Sequence, residues 1–252
     1  MDFSSKLRLI LGLIFFLYNC ESVTVKLDID NIDVCCLVRT FIGHESQLIV
    51  LLASLTDAAL HAKNIRIKFF IIDTDPVQSV GNFYVERTIL HLRQQYLNDI
   101  YHHVIFKNHS YQPRLTYGYD ATDQLLTAIL DSSIPSATNE NCAYFLVTNG
   151  DNYYSHYLFK EIEDGLKSHI DLIAFNYIHR WNAYGVQLQH SAIDLGAAVV
   201  SGRAILNARA MFLPKGLDTE DMVARDWYFF QFILKAINST NSIVRKTLFV
   251  HI

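Results

Sequence analysis

Three short runs in this chain are apolar along most of their length: Val34-Cys-Cys-Leu-Val38, Ile65-Arg-Ile-Lys-Phe-Phe-Ile-Ile72 and Cys142-Ala-Tyr-Phe-Leu-Val147. A strand with one wet face alternates apolar and polar residues, whereas a continuously apolar strand has to be covered on both faces. The segments between the runs change to helical spacing, as at Leu48, Leu51, Leu52, Leu55 and Ala59. Strand and helix in alternation predict a βαβαβ opening half, and so an α/β domain with a mainly parallel sheet flanked by helices, Rossmann-like in class. Further helices are expected over 86–96, 120–130, 155–168 and 226–237, and further strands over 103–106, 171–177, 197–200 and 247–252.

Such sheets bind ligands in the crevice beyond the carboxyl ends of their strands. The acidic turns of this chain fall there. Asp73-Thr-Asp-Pro76 closes one strand, bringing Asp73 and Asp75, and Thr148-Asn-Gly-Asp-Asn152 closes another, bringing Asp151. The expectation is that both turns open onto one rim of one sheet. A carboxylate at that rim suits a hard divalent ion, Mg2+ or Mn2+, which takes oxygen ligands and clamps a diphosphate. The plain alternative is an Asn-Gly turn with an Asp neighbour.

The start of the chain reads as a targeting segment. Lys6 and Arg8 precede the uncharged run Leu9 to Cys20, which is shorter than the ~20 residues of a spanning helix. Residues 1–22 are read as a signal peptide or short signal anchor, 23–32 as a linker and 33–252 as the domain. The expected location is the secretory pathway or the exterior, with no stable membrane span unless the signal segment is retained. The sequons at Asn108 and Asn238 are then usable glycosylation acceptors. A net charge of −4 with no basic cluster speaks against nucleic acid as a partner. Of the four cysteines, Cys20 leaves with the signal peptide, Cys35 and Cys36 are expected in the core and Cys142 free, so no disulfide scaffold is foreseen. Zinc-type cysteine spacing, a Walker loop, a GxSxG elbow and an HExxH helix are all missing from the sequence.

From about Asp33 onward the order of these segments resembles the GT-A fold of nucleotide-sugar glycosyltransferases. The strand-loop-helix VCCLVRTFIGHESQLIVLLASL is similar to the first nucleotide-binding unit of that family, and VTNGDNYY occupies the place of its DXD metal motif. IDLGAAVVSGRAIL resembles the segment that shapes the sugar pockets, and DTEDMVARDWYFFQFIL the acidic loop and helix that carry the base of inverting members. The resemblance implies a single GT-A-like domain that uses a nucleotide-sugar donor, a glycan or glycoprotein acceptor, and Mn2+ or Mg2+.

Carried over by position, it implies that Arg39, Thr40, Asp73, Asp75, Asp120, Asp123, Asn149, Asp151 and Asn152 line the nucleotide-sugar site. Asp151 and the carboxyl-end His251 become metal ligands, and Asp226 the catalytic base, with Glu220 and Asp221 as rivals. Trp181 and Tyr184 become acceptor platforms. Several of these have bland readings too. Asp120 would serve as a helix N-cap with Asp123 at the third position, Asp226 as a cap, and His251 as a surface histidine. The chain departs from the family where Asn149 stands in place of the first aspartate of the motif, which removes one charge from the metal site. Two other functions therefore remain beside the transferase: an inactive relative that binds glycan or a partner protein, and a secreted α/β hydrolase.

Overall fold

The computed structural model describes residues 32–40, 45–73, 103–107, 118–131, 142–180, 182–189, 192–213, 225–236 and 240–251. The expected targeting segment, the helix over 86–96, Asp75, Trp181, Glu220, Asp221 and both sequon asparagines lie outside these residues.

The described chain runs β1 (Ile32–Thr40), α1 (Glu45–Leu60), β2 (Ile65–Asp73), β3 (His103–Lys107), α2 (Tyr119–Leu130), β4 (Tyr144–Asn149), β5 (Asn152–Tyr154) and α3 (Leu158–Lys167). It continues through β6 (Leu172–His179), β7 (Asn182–Tyr184), a 3-10 turn (Leu195–Ala197), β8 (Ala198–Ser201), α4 (Gly202–Ala208), α5 (Arg225–Ala236) and β9 (Asn241–His251). One sheet holds all the strands in the order β3-β2-β1-β4-β8-β6-β9-β5, with β7 hairpinned onto β6. The long registers β1–β2, β1–β4, β2–β3 and β6–β9 are parallel, and β8 enters antiparallel between β4 and β6.

The apolar runs are buried on both faces. Along β1, Val34, Cys36 and Val38 point into a core closed by Leu51, Leu52 and Leu55 of α1 and by Phe159 and Ile162 of α3. The alternate residues Cys35 and Leu37 point into a second core closed by Leu125 and Ile129 of α2 and by Phe229, Phe230 and Ile233 of α5. Burying one such leucine contributes about 1.5–3 kcal/mol, so the period-two alternation of β1 fastens helices to both sides of the sheet.

Two features differ from the sequence expectation. Cys142 is not free: it is bonded to Cys35, with the two Cα atoms 5.6 Å apart, and Cys36 is the cysteine left as a buried thiol. Register brings this about, because Cys35 lies beside Phe145 on the neighbouring strand and Cys142 sits just before that strand. The last strand is also longer than expected, since Asn241–His251 includes polar residues on its exposed first half. No helix among the described residues is long and apolar enough to cross a membrane.

Candidate functional site

From β1 the chain moves to β2 and β3 on one side, then crosses to β4 on the other. This reversal between β1 and β4 is a topological switch point, where an open α/β sheet leaves a crevice at its carboxyl edge. Register fixes what lies there: Thr40 is opposite Asp73, and Arg39 is opposite both Ile72 and Asn149. The carboxyl ends of β2 at Asp73 and of β4 at Asn149, which leads into the Asp151 turn, therefore lie at the same rim of the sheet.

Close packing shapes the second turn. The Gly150 amide donates to the Arg39 carbonyl at 2.7 Å. A Cβ on Gly150 would stand 3.0 Å from Thr40 Oγ1 and 3.2 Å from the Arg39 carbonyl oxygen, so the middle position of the turn has no room for a side chain. Asn152 Nδ2 donates to Thr148 Oγ1 at 2.8 Å, and the Tyr154 hydroxyl lies 2.9 Å from both Thr148 Oγ1 and the Gly196 carbonyl. A carbonyl can only accept, so the tyrosine proton goes to Gly196 and the Thr148 hydroxyl donates to the tyrosine oxygen. This chain of bonds locks the Asp151 turn to the turn that carries Asp194.

Asp194 is the acidic residue that sequence reading did not single out. Its Oδ1 accepts from the Gly196 amide at 2.9 Å, capping the 3-10 turn, and its Oδ2 lies 2.8 Å from His251 Nδ1. His251 ends β9, opposite Asn152 on β5 and His179 on β6, and the two imidazole centroids are 4.6 Å apart. The Asp194 hydrogen bond holds His251 above its usual value; burial opposes this, while the charges of Asp194, Asp151 and Asp226 add to it. His179 moves the other way, lowered by burial and by the charges of His251 and Arg180.

Asp226 stands in the first turn of α5. Its carboxylate accepts from the Tyr119 hydroxyl at 2.7 Å and from the Leu195 amide at 3.2 Å. Burial pushes its pKa up to about 6, the Asp194 charge adds to this, and Arg39 with the two donors opposes it. The Arg39 guanidinium lies 4.4 Å above the Tyr119 ring. A half-buried carboxyl with a raised pKa, an arginine and a histidine–aspartate pair thus meet at one rim, and perturbed groups of this kind concentrate at functional sites.

The other expected site residues have different settings. Asp123 is buried, and its two oxygens accept from the Phe212 and Leu213 amides at 2.8 Å each. Its carboxylate holds the segment after α4 onto α2. Asn152 is likewise buried and braces its own turn. Asp120 is half-buried in the first turn of α2; Gly118, and not Asp120, is the N-cap of that helix. Tyr184 is exposed, stacked on Tyr177 at 5.4 Å and edge-on to His179, so an open aromatic face borders the histidines.

Among solved structures, S. aureus TarS residues 1–349 match with a TM-score of 0.57 at 12% identity, over 87% of this chain and 60% of that one. The same piece solved in complex with UDP gives 0.58 at 13% identity, again over 87% and 60%. Mannosyltransferase PcManGT from Pyrobaculum calidifontis, in complex with GDP-Man and Mn2+, gives 0.55 at 10% identity, over 86% of this chain and 56% of that one. The chain spans about 60% of the length of these neighbours. No protein-family model matches the chain, and no curated protein sequence matches it. The described residues share the GT-A-like, Rossmann-type fold of these neighbours.

Proposed function

We propose that this chain transfers a sugar from a nucleotide-diphosphate donor to a glycan or glycoprotein acceptor in the secretory pathway. The observation that carries the reading is the meeting of the Asp151 turn, Asp194, Asp226, Arg39 and His251 at the carboxyl rim of the β1/β4 switch point. The neighbours' ligands, UDP and GDP-Man, support the donor class. The Cys35–Cys142 disulfide suits an oxidising compartment.

The residues at the rim fit a divalent ion. Asp151 and Asp194 offer carboxylate oxygens and His251 an imidazole, a donor set suited to Mn2+. Asn149 contributes at most a neutral carbonyl oxygen. When bound, the ion would neutralise charge on the departing diphosphate. The protein's own groups do the rest. Arg39, held flat against Tyr119, places positive charge at the end of β1 beside the switch-point crevice. Asp226, with its pKa near 6, is ionised at neutral pH and takes the proton of the acceptor hydroxyl. The exposed ring of Tyr184 offers a stacking face for an acceptor sugar.

Calorimetric titration of the chain with UDP and GDP, with and without Mn2+, tests the proposal. Metal-linked nucleotide binding that disappears in Asp151→Ala supports it, and lack of binding to either nucleotide removes it. A second reading, a relative that binds without catalysis, is favoured by Asn149 and by the engagement of both Asp226 oxygens. Nucleotide binding with no turnover or hydrolysis of any donor would select it.

A further inference from the structure

We propose that the open edge of β7 is the docking strip for the acceptor, and that the acceptor is an extended polypeptide in which serine or threonine alternates with apolar residues. What becomes of the hydroxyl rests on the transferase reading; the strip itself stands on the sheet alone. β7 hangs on β6 through the pairs His179–Asn182, Ile178–Ala183 and Tyr177–Tyr184. Two residues join the strands, and the first, Arg180, is left-handed with φ 44°. The pair that closes a two-residue loop is hydrogen-bonded and the next pair is not, so Ala183 turns its N–H and C=O outward. All three residues of β7 are exposed, and a Cβ on Gly185, next in the chain, would meet nothing within 4 Å.

The chemistry of this edge selects its occupant. A strand edge is commonly guarded by a charge or a proline, and Asn182-Ala183-Tyr184 has neither. Outward backbone groups recognise another backbone, which a glycan does not possess. Three residues hold a short segment and are too few to join two copies of the chain through their edges.

Register decides what a segment laid there shows to each side. Tyr153, Val250, Ile178 and Ala183 are successive partners across β5, β9, β6 and β7. They form an apolar row on the face away from His179 and His251, exposed at both of its ends. A residue paired with Ala183 extends that row, where an apolar, β-branched side chain packs best. Its two neighbours in the segment point the other way, onto the face of Tyr177, His179 and His251. On that face Tyr184 stacks on Tyr177 at 5.4 Å. Burial raises the Tyr177 hydroxyl to about 12, and the charges of Asp194, Tyr184 and Asp226 add to this, so the stack leads from the open edge toward the proposed base. A hydroxyl on either neighbour is therefore on the side where transfer takes place. Its oxygen bonds to the anomeric carbon as the bond from that carbon to the diphosphate oxygen breaks. The hydroxyl proton goes to Asp226, and the nucleoside diphosphate leaves with the bonding pair.

NMR titration of the nitrogen-labelled full chain with the peptide Ac-Lys-Thr-Val-Thr-Lys-NH2, without nucleotide or metal, tests the strip. Saturable shifts are expected, centred on the backbone amides of Asn182, Ala183, Tyr184 and Gly185. The same peptide N-methylated at its three central residues cannot donate from the paired segment and should bind at least tenfold more weakly. Aspartate in place of the valine should weaken binding similarly, since it would lie on the apolar row. On the protein side, Ala183→Pro removes the outward N–H at a position where an edge strand tolerates proline, and should also cost at least tenfold. Lack of saturable shifts, equal binding of the N-methylated peptide, or chitotetraose shifting these amides where the peptide does not overturns the proposal. Peptide binding by a chain that binds neither UDP nor GDP would leave the strip standing while the transferase reading falls, and nucleotide binding without peptide binding would do the reverse.

Discussion

Gly196 has no space for a methyl group. A Cβ there would lie 2.6 Å from the Phe249 ring and 2.9 Å from the Tyr154 hydroxyl, both buried groups that cannot retreat into solvent. Overpacking of this kind costs about 1–3 kcal/mol. Gly196→Ala should therefore lower the urea midpoint accordingly and, by pushing Tyr154 off the Gly196 carbonyl, weaken Mn2+ binding at the adjacent Asp194 and His251. An unchanged midpoint would show that the turn is looser than it looks. Asp226 makes a different prediction. Asparagine keeps the acceptor for Tyr119 or Leu195 but cannot take a proton, so Asp226→Asn should lower kcat about 10²–10⁴-fold with UDP affinity nearly intact. The wild-type rate should rise as pH climbs through about 6, because only the ionised carboxylate accepts a proton. Initial-rate profiles from pH 5 to 8 check both. Individual residues were legible in the sequence where a strand end announced them: Asp151, Asn149, Arg39 and His251 all stand at such ends. Asp194 was not, because it joins His251 only through a contact that closes over 57 residues of chain, and His179 was not, because the strand expected over 171–177 in fact runs on to it and its partner His251 lies 72 residues away.

At the scale of elements, two fasteners hold β1 in place. One is the disulfide from Cys35 to Cys142, which closes a loop with a sequence separation of 107. Cross-links over loops of that length restrain the unfolded chain and typically contribute about 2–4 kcal/mol. Cys142→Ser should cost about that much in urea unfolding, and dithiothreitol should lower the wild-type protein to the same level while leaving the variant unmoved. A variant as stable as the wild type would rule out the bond in solution. The other fastener is Asp33, which ion-pairs with Lys68 at 2.8 Å and with Arg66 across the β1–β2 register. These two cations explain why β2, an interior strand, reads Ile-Arg-Ile-Lys at its start: the charges sit at the end where β1 supplies a carboxylate. The strands themselves were readable from their apolar runs. The disulfide was not, because it depends on which strand lies beside β1, and β4 is separated from it in sequence by four intervening described elements, α1, β2, β3 and α2.

For the whole molecule, the alternation of strands and helices was enough to give the sheet, its helical cover on both faces and the common rim. It was not enough to place β8, whose four residues pair antiparallel with both β4 and β6 and turn the far half into a mixed sheet. A short apolar strand carries no signal for its direction. The assembled fold also fixes a pH dependence that no single segment contains. Asp33 and Asp171 are both held below the ordinary carboxylate value of 3.8: burial opposes this, but the bonds from Arg66 and Lys68, and from Arg203 and Ser201, outweigh it. Their stabilisation is complete above about pH 4 and is lost as pH falls further. Asp123 is opposite in sign. Burial raises it to about 6 despite the two amide donors, so the folded chain binds a proton there that the unfolded chain does not hold between about pH 4 and 6. On this account stability increases as pH falls from 7 toward 5, by roughly 1–3 kcal/mol from Asp123, and drops below about 4 as the paired carboxylates are protonated. Asp123→Asn should be less stable at every pH, having lost one amide acceptor, and should also lose about half of the slope between pH 4 and 6, the rest coming from Asp226, which burial raises to about 6 as well. Urea unfolding of both proteins at pH 3.5, 5 and 7 separates the two contributions. Equal slopes in wild type and variant would mean that Asp123 is ionised in the folded state throughout, and that the segment it holds is bound by charge and not by a neutral carboxyl.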